Sequence, residues 1–209
     1  MLRKLIMILL AVLCCASCLA EGNPANRLPP AYRPVLELVR RGVAGDEAAM
    51  EDERFNTACY FVRIYEDRET GWTLADLDGD GAEELIIGQV PENAADDLWI
   101  MDIWTARDGE ARLLSRGWER NRMYLTKEEG NVFGLYFEGA DSAFESVWTH
   151  ALIRNGAEAG KDTVICFTDL DTDLQTWTLN DERVAEDRAF RLIDAWRDGI
   201  LFPELIPLE

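Results

Sequence analysis

The fold is decided by residues 71–87, which read Gly71-Trp72-Thr73-Leu74-Ala75-Asp76-Leu77-Asp78-Gly79-Asp80-Gly81-Ala82-Glu83-Glu84-Leu85-Ile86-Ile87. The residues that follow the acidic segment, Leu85 to Val90, are mainly apolar and β-branched, which is typical of a buried strand. The residues that precede it, Gly71 to Ala75, also have the composition of a strand. The acidic segment between them contains two glycines. The stretch therefore predicts two strands joined by a tight acidic loop.

The acidic loop carries oxygen ligands at the spacing of a calcium-binding loop. Three aspartates occupy loop positions 1, 3 and 5, and Gly81 at position 6 permits a sharp turn. Position 7 offers a backbone carbonyl and position 9 a glutamate. Crowded carboxylates repel one another unless a cation neutralises them, and hard oxygen ligands suit Ca²⁺. The predicted Ca²⁺ ligands are Asp76, Asp78, Asp80, Ala82 and Glu84.

The loop has two other interpretations. An ordinary EF-hand is not expected, because it requires a bidentate acid at position 12, which is Ile87 here, and because the flanking segments are predicted strands. A metal-free hairpin turn remains open, because Asp-Gly pairs also form tight turns. A second acidic alternation, Asp169 to Asp173, has Leu174 at the glycine position and predicts a solvated loop.

The segment Leu74–Ile87 resembles the D-x-D-G-D-G-x-x-E-L signature of exported lipoproteins of Firmicutes and of integrin-like FG-GAP repeat proteins. Trp104–Gly109, followed by Leu113-Leu114, resembles the hairpin that usually follows in the lipoproteins. Trp177–Asp181 resembles their closing strand before a helix. The resemblance implies export and a calcium loop, but no particular activity. The chain has one good copy of the loop, so a propeller is not expected.

The first twenty residues predict an export signal. Arg3 and Lys4 precede the apolar run Leu5–Leu13, and small residues follow. Ala16-Ser17 before Cys18 resembles the end of a lipobox, so we expect lipidation of Cys18. Cleavage after Ala20 is the alternative. The expected organisation is a signal over 1–20, a proline-containing tether over 21–30 and one domain over 31–209, located outside the cell as a surface lipoprotein or a secreted protein.

The charge balance excludes several partners. The chain has 40 acidic and 21 basic residues, a net charge of −19; loss of residues 1–20 removes two basic residues and no acid, leaving about −21. Such a surface repels nucleic acid and anionic membranes. We therefore expect no nucleic-acid partner, and membrane contact only through the lipid anchor. An apolar content of 48% excludes a disordered chain.

The order of the predicted elements is helices, strands, helix, which indicates an α+β domain built on an antiparallel β-meander. Helices are predicted over 31–43, about 46–65 and about 184–196, with a left-handed cap at Gly199. The acidic loop joins the first two strands. The predicted strands are 71–76, 84–90, 98–106, 110–117, 121–126, 131–138, 143–154, 162–168 and 174–180.

Few residues suggest catalysis. His150 is the sole histidine and lies in an alternating strand pattern, where a hydrogen-bonded strand residue is expected. Cys59 and Cys166 fit apolar patterns and are expected to be free thiols. Of the seven tryptophans, Trp118, in a polar turn, is the best exposed candidate for contact with a sugar. We therefore predict a non-enzymatic, calcium-binding module for an extracellular protein or polysaccharide. The alternative is a secreted hydrolase, or a hydrolase accessory, that uses acidic residues with calcium as a brace.

Overall fold

The computed structural model describes residues 28–91, 99–128 and 133–208. The predicted signal over 1–20, Cys18 and residues 21–27 of the predicted tether lie outside the described residues. The predicted α+β class is confirmed, because helices at both ends of the described chain flank an antiparallel sheet. Among the described residues, no helix is both long enough and apolar enough to span a membrane.

The N-terminal part contains a 3₁₀ turn and three helices. The prediction of one helix over 46–65 is wrong, because two capping residues each begin a separate helix. Asp46 accepts a hydrogen bond from the Ala49 N–H at 3.2 Å, and Asn56 accepts one from the Ala58 N–H at 3.0 Å. The elements are the 3₁₀ turn Pro30–Tyr32, α1 Arg33–Val43, α2 Glu47–Met50 and α3 Thr57–Tyr65.

The nine predicted strands are confirmed, and three two-residue strands near the C-terminus were not predicted. The last helix, α4, spans Glu186–Asp198. The strands are β1 Thr70–Ala75, β2 Glu84–Gln89, β3 Ile100–Arg107, β4 Glu110–Arg116, β5 Asn121–Lys127, β6 Phe133–Ser142, β7 Glu145–Ile153, β8 Glu158–Thr168, β9 Gln175–Leu179, β10 Glu182–Arg183, β11 Ile200–Leu201 and β12 Ile206–Pro207.

The described strands form one sheet in the order β10-β9-β8-β7-β6-β5-β3-β2-β1-β12, and its pairings are antiparallel. Two strands share one edge of β3. β5 meets β3 only at Ile100, whereas β4 pairs with β3 from Asp102 to Arg107 across a bulge after Ile103. β4 therefore diverges from β5, and the sheet opens between them.

The sheet is buried on both faces. The N-terminal helices cover one face, where Cys59 of α3 packs with Trp99 and Tyr124 in one cluster. The opposite face carries a second cluster that includes Ile86, Met123, Leu135 and Phe137. The helix α4 covers a third cluster, in which Cys166 packs near Trp177. Cys59 and Cys166 are buried and unbridged, as predicted.

The C-terminal segment completes the sheet. β11 pairs with β5 and β12 pairs with β1, while Leu205 is buried in the second cluster. The predicted left-handed cap at Gly199 is wrong: its φ of −83° lies in the right-handed region. The helix instead ends with the Gly199 N–H donating to the Trp196 carbonyl at 3.2 Å, which requires no positive φ.

Candidate metal site

The acidic loop lies between β1 and β2, as predicted. Its ends are held together because Ala75, the last residue of β1, pairs directly with Glu84, the first residue of β2. Gly79 and Gly81 have φ angles of 77° and 88°. These left-handed values favour glycine, so the two glycines allow the backbone to turn twice within a few residues.

Backbone N–H groups hold the aspartates of the loop. The Asp76 carboxylate accepts from the Gly79 N–H at 2.8 Å and from the Gly81 N–H at 3.0 Å. Asp78 Oδ1 accepts from the Asp80 N–H at 3.1 Å, and Asp80 Oδ1 accepts from the Ala82 N–H at 2.7 Å. Each carboxylate is thereby held close to the loop backbone rather than extended into solvent.

Glu84 is the buried member of the site, with 1% of its surface exposed. Its Oε2 accepts from the Leu77 N–H at 2.9 Å, and its Oε1 accepts from the Thr105 hydroxyl at 3.2 Å. Burial, with a smaller contribution from the charge of Asp78, raises the pKa of Glu84 to about 6 despite these hydrogen bonds. A bound cation would offset this unfavourable burial of a carboxylate.

Three carboxylates converge at the loop. One oxygen each of Asp76, Asp78 and Glu84 lies within 4.8 Å of the other two. Two oxygens that bind one Ca²⁺ at 2.3–2.6 Å are separated by at most about 5 Å, so the three groups can share one ion. The ion pairs between described residues involve other acidic groups. The cluster could therefore bind a metal ion.

The other two predicted ligands lie at the exposed side of the loop. Asp80 and Ala82 are both exposed, and Asp80 is not part of the three-carboxylate cluster. Its Oδ1 is bound to the Ala82 N–H. The assignment of the Asp80 carboxylate and the Ala82 carbonyl as ligands thus stays a prediction, which substitution can test.

Residues far away in sequence support the loop. The Gly156 N–H, in the β7–β8 turn, donates to Asp78 Oδ2 at 2.5 Å. The Arg107 guanidinium donates to the adjacent Asn155 carbonyl. The sequence marks Asn155-Gly156 as a turn, but no local pattern indicates that this turn meets the acidic loop. On the helix side, the Tyr32 hydroxyl donates to the Glu83 carbonyl at 2.8 Å.

The second acidic alternation is an exposed loop between β8 and β9. Asp169 Oδ1 accepts from the Asp171 N–H at 2.9 Å and the Thr172 N–H at 3.1 Å. The three aspartates of this loop are exposed. Among the described residues, Asp76, Asp78 and Glu84 form the one acidic group close enough to share a metal ion.

The remaining candidates have structural surroundings. His150 is 8% exposed, its Nε2 lies 2.9 Å from Glu128 Oε1 and 3.2 Å from Thr126 Oγ1, and its ring stacks on Trp196. It is a hydrogen-bonded strand residue, as predicted. Cys59 is fully buried, and burial raises the pKa of its thiol, which keeps it protonated and unreactive.

Comparison with protein families, with characterised proteins and with solved structures finds no match for this chain. Its function is therefore inferred from the geometry of the sites and from the sequence.

Proposed function

We propose that this protein is an exported, surface-tethered binding module whose β1–β2 loop holds one structural Ca²⁺. The observation that carries the proposal is Glu84, a buried carboxylate that faces Asp76 and Asp78 with oxygens within 4.8 Å. Such an arrangement is unfavourable without a cation. The predicted signal over 1–20 and Cys18 support the export and tethering parts of the proposal.

The donor set favours calcium over other common ions. The converging groups are carboxylates, whereas structural zinc sites use cysteine and histidine. Mg²⁺ demands a compact octahedral site at about 2.0–2.1 Å, while Ca²⁺ accepts six to eight oxygens in a flexible arrangement. The Asp80 carboxylate and the Ala82 carbonyl would add oxygen ligands to the three converging carboxylates, which suits the larger and more flexible coordination of Ca²⁺.

Calcium in this loop would act as a brace. Asp78 already joins the loop to the β7–β8 turn through Gly156, and Glu84 joins it to β3 through Thr105. An ion held by Asp78 and Glu84 would strengthen the connection among three parts of the sheet. This role requires no chemical step and is compatible with the proposed binding module.

We expect Ca²⁺ to raise the thermal stability of the protein. The loop has no bidentate acid at position 12, so its Kd should lie near 10⁻⁴–10⁻³ M, roughly the range of extracellular calcium modules. At about ten times Kd, binding adds roughly 1.4 kcal/mol, a rise of a few degrees in Tm. Calorimetry of chelator-treated protein with and without Ca²⁺ measures this rise, and Mg²⁺ should produce a smaller one.

Two substitutions in the loop and one outside it make this test specific. Asp76→Ala and Asp80→Ala should each abolish the Ca²⁺-dependent rise. Asp171→Ala is the matched control, because Asp171 lies in the exposed second acidic loop, and it should keep the full rise. An unchanged Tm and no heat of binding up to about 10 mM Ca²⁺ would contradict the proposal and leave a metal-free acidic turn.

The pH dependence of stability should reverse when Ca²⁺ binds. The fold raises the pKa of Glu84 from 4.5 to about 6, so folded Glu84 holds its proton more tightly than unfolded Glu84. Without metal, the contribution of Glu84 to stability is therefore present below about pH 4.5 and is lost as the pH rises through about 6. With Ca²⁺ bound, the carboxylate form is favoured and this loss should disappear.

Urea unfolding in EDTA between about pH 4.5 and 7 measures this effect. Glu84→Gln removes the titrating group, so the difference between wild type and variant isolates it from the other acids. The wild type should lose stability relative to the variant as the pH rises. Parallel pH profiles for the two proteins would show that Glu84 titrates normally.

A further inference from the structure

A cavity of about 340 Å³ opens on the sheet face opposite the N-terminal helices. Phe137, which belongs to the second hydrophobic cluster, lies at its apolar side. The cavity exists because β4 diverges from β5 and leaves a gap between β4 and β8. The Ser115 hydroxyl bridges this gap by donating to Glu158 Oε1 at 2.6 Å.

The cavity continues along the sheet. A second cavity, of about 400 Å³, adjoins the first at Lys161 and is lined by Thr163, Ile165, Asn180 and Asp181. Thr149 in the first cavity and Thr163 in the second are paired across β7 and β8, with their hydroxyl oxygens 3.3 Å apart. The two cavities therefore form one groove across neighbouring strands.

The lining of the groove suits a polyhydroxylated ligand. Six of the nine residues around the first cavity are polar. The Arg116 guanidinium is bound to Asp102, and the other five offer hydroxyl, amide, ammonium and carboxylate groups. Such a set can both donate to and accept from sugar hydroxyls. Both charge signs are present, with Lys161 and Glu158 in the same cavity. The chain's net charge of −19 disfavours anionic polymers.

An exposed aromatic ring lies beside the groove. Trp118 is 43% exposed and forms an antiparallel bridge with Asn121, which lines the first cavity. Directly paired residues project to the same face, so we expect Trp118, which borders the groove without lining it, to project to the cavity side. The turn approaches the sheet closely over Gly139, where the Ala140 N–H donates to the Arg120 carbonyl at 2.9 Å. This contact fixes the position of the Trp118 turn.

We propose that this groove binds a neutral polysaccharide, with Trp118 stacked on one sugar ring and Asn121 and Lys161 bound to its hydroxyls. The inference rests on the proposed role as a binding module and names its ligand class. Two carboxylates line the groove, Glu158 in the first cavity and Asp181 in the second. We assign the groove to binding.

The test is calorimetric titration of the full mature chain with neutral hexasaccharides: cellohexaose, laminarihexaose, xylohexaose, mannohexaose and chitohexaose. At least one should bind with a Kd at or below about 1 mM. Trp118→Ala should weaken that binding at least about tenfold, or roughly 1.4 kcal/mol, and Lys161→Ala should weaken it measurably. Tyr65→Ala and Lys127→Ala are matched controls, because both residues are exposed and neither lines the groove.

Several outcomes would overturn the inference. These are failure of all five sugars to bind at about 1 mM, equal binding by the Trp118→Ala variant, or binding of an extended peptide along the strand edges in place of sugar. Titrations with Ca²⁺ and with EDTA separate this inference from the metal proposal. A Ca²⁺-dependent rise in Tm without sugar binding refutes the groove alone, whereas sugar binding by a protein that shows no calcium response refutes the metal site alone.

Discussion

Replacing Arg116 with methionine is expected to lower the free energy of unfolding by about 3–5 kcal/mol. Arg116 Nε lies 2.8 Å from Asp102 Oδ1, and its Nη2 lies 3.0 Å from Asp102 Oδ2. The Asp102 side chain is completely buried. Removal of the guanidinium leaves a buried carboxylate beside the neutral side chains of Asn56 and Trp104, which cannot neutralise its charge.

Arg116 also connects the sheet to the helical layer, because its Nη2 donates to the Arg54 carbonyl at 2.6 Å. Urea unfolding measures the loss of stability. Arg112→Met is the matched control on the same strand: within the described part of the chain, Arg112 forms an ion pair with exposed Asp108 alone, at 3.7 Å, and this change should cost less than about 0.5 kcal/mol. Equal stabilities of the two variants would contradict the assigned role of Arg116.

The cost of losing Arg116 should depend on pH. Burial raises the pKa of Asp102 while Arg116 lowers it, so the pKa rises further in the variant. A carboxyl group with a raised pKa in the folded state contributes stability at low pH and loses it as the pH increases. The deficit of Arg116→Met should therefore shrink in acid, and an equal deficit at all pH values would indicate that lost packing dominates.

Gly139→Ala is expected to cost about 3 kcal/mol. A Cβ at this position would overlap the Arg120 carbonyl oxygen and would lie 2.7 Å from the Asn121 Cα. Both atoms belong to the backbone where the β4–β5 turn meets the start of β5, which cannot move away as a flexible side chain could. Because the same turn carries Trp118, the substitution should also weaken binding of sugar in the groove.

The matched control for this substitution is Gly199→Ala. An added Cβ there would be 3.4 Å from its nearest neighbour, the Trp196 carbonyl oxygen, and φ is −83°. This change should be neutral, or stabilising by up to about 1 kcal/mol through a less flexible unfolded chain. If Gly139→Ala is as stable as Gly199→Ala, the turn does not pack against β6 as described.

The sequence predicted the elements that depend on local patterns. Alternation and turn residues located the nine longer strands, and the Asp-Gly spacing located the loop that carries Asp76 and Asp78. It did not predict the division of helix 46–65, although Asn56 is a good capping residue, because the apolar spacing continues through the break. Local periodicity indicates which residues are apolar, but not where a cap interrupts the helix.

The contacts that the sequence did not predict, at the acidic loop and at the groove, depend on how the sheet curves. The contact between Asp78 and Gly156 joins residues 78 positions apart, and the groove depends on the divergence of β4 from β5. Bulges in β3 and between β7 and β8 after His150 set this geometry. A bulge changes register by one residue without a distinct mark in the sequence, so the sequence could not predict these contacts.

The last strands of the sheet determine when the chain can finish folding. The backbone of β12 pairs with Gly71 and Trp72 at the start of β1, and Leu205 fills part of the core beside Gly88. A chain that emerges in order, from a ribosome or through a translocation channel, makes β1 more than a hundred residues before its partner β12. Until that partner arrives, the edge of β1 is unpaired and the site of Leu205 is unfilled. Folding to the native state is therefore a late event that requires nearly the whole chain.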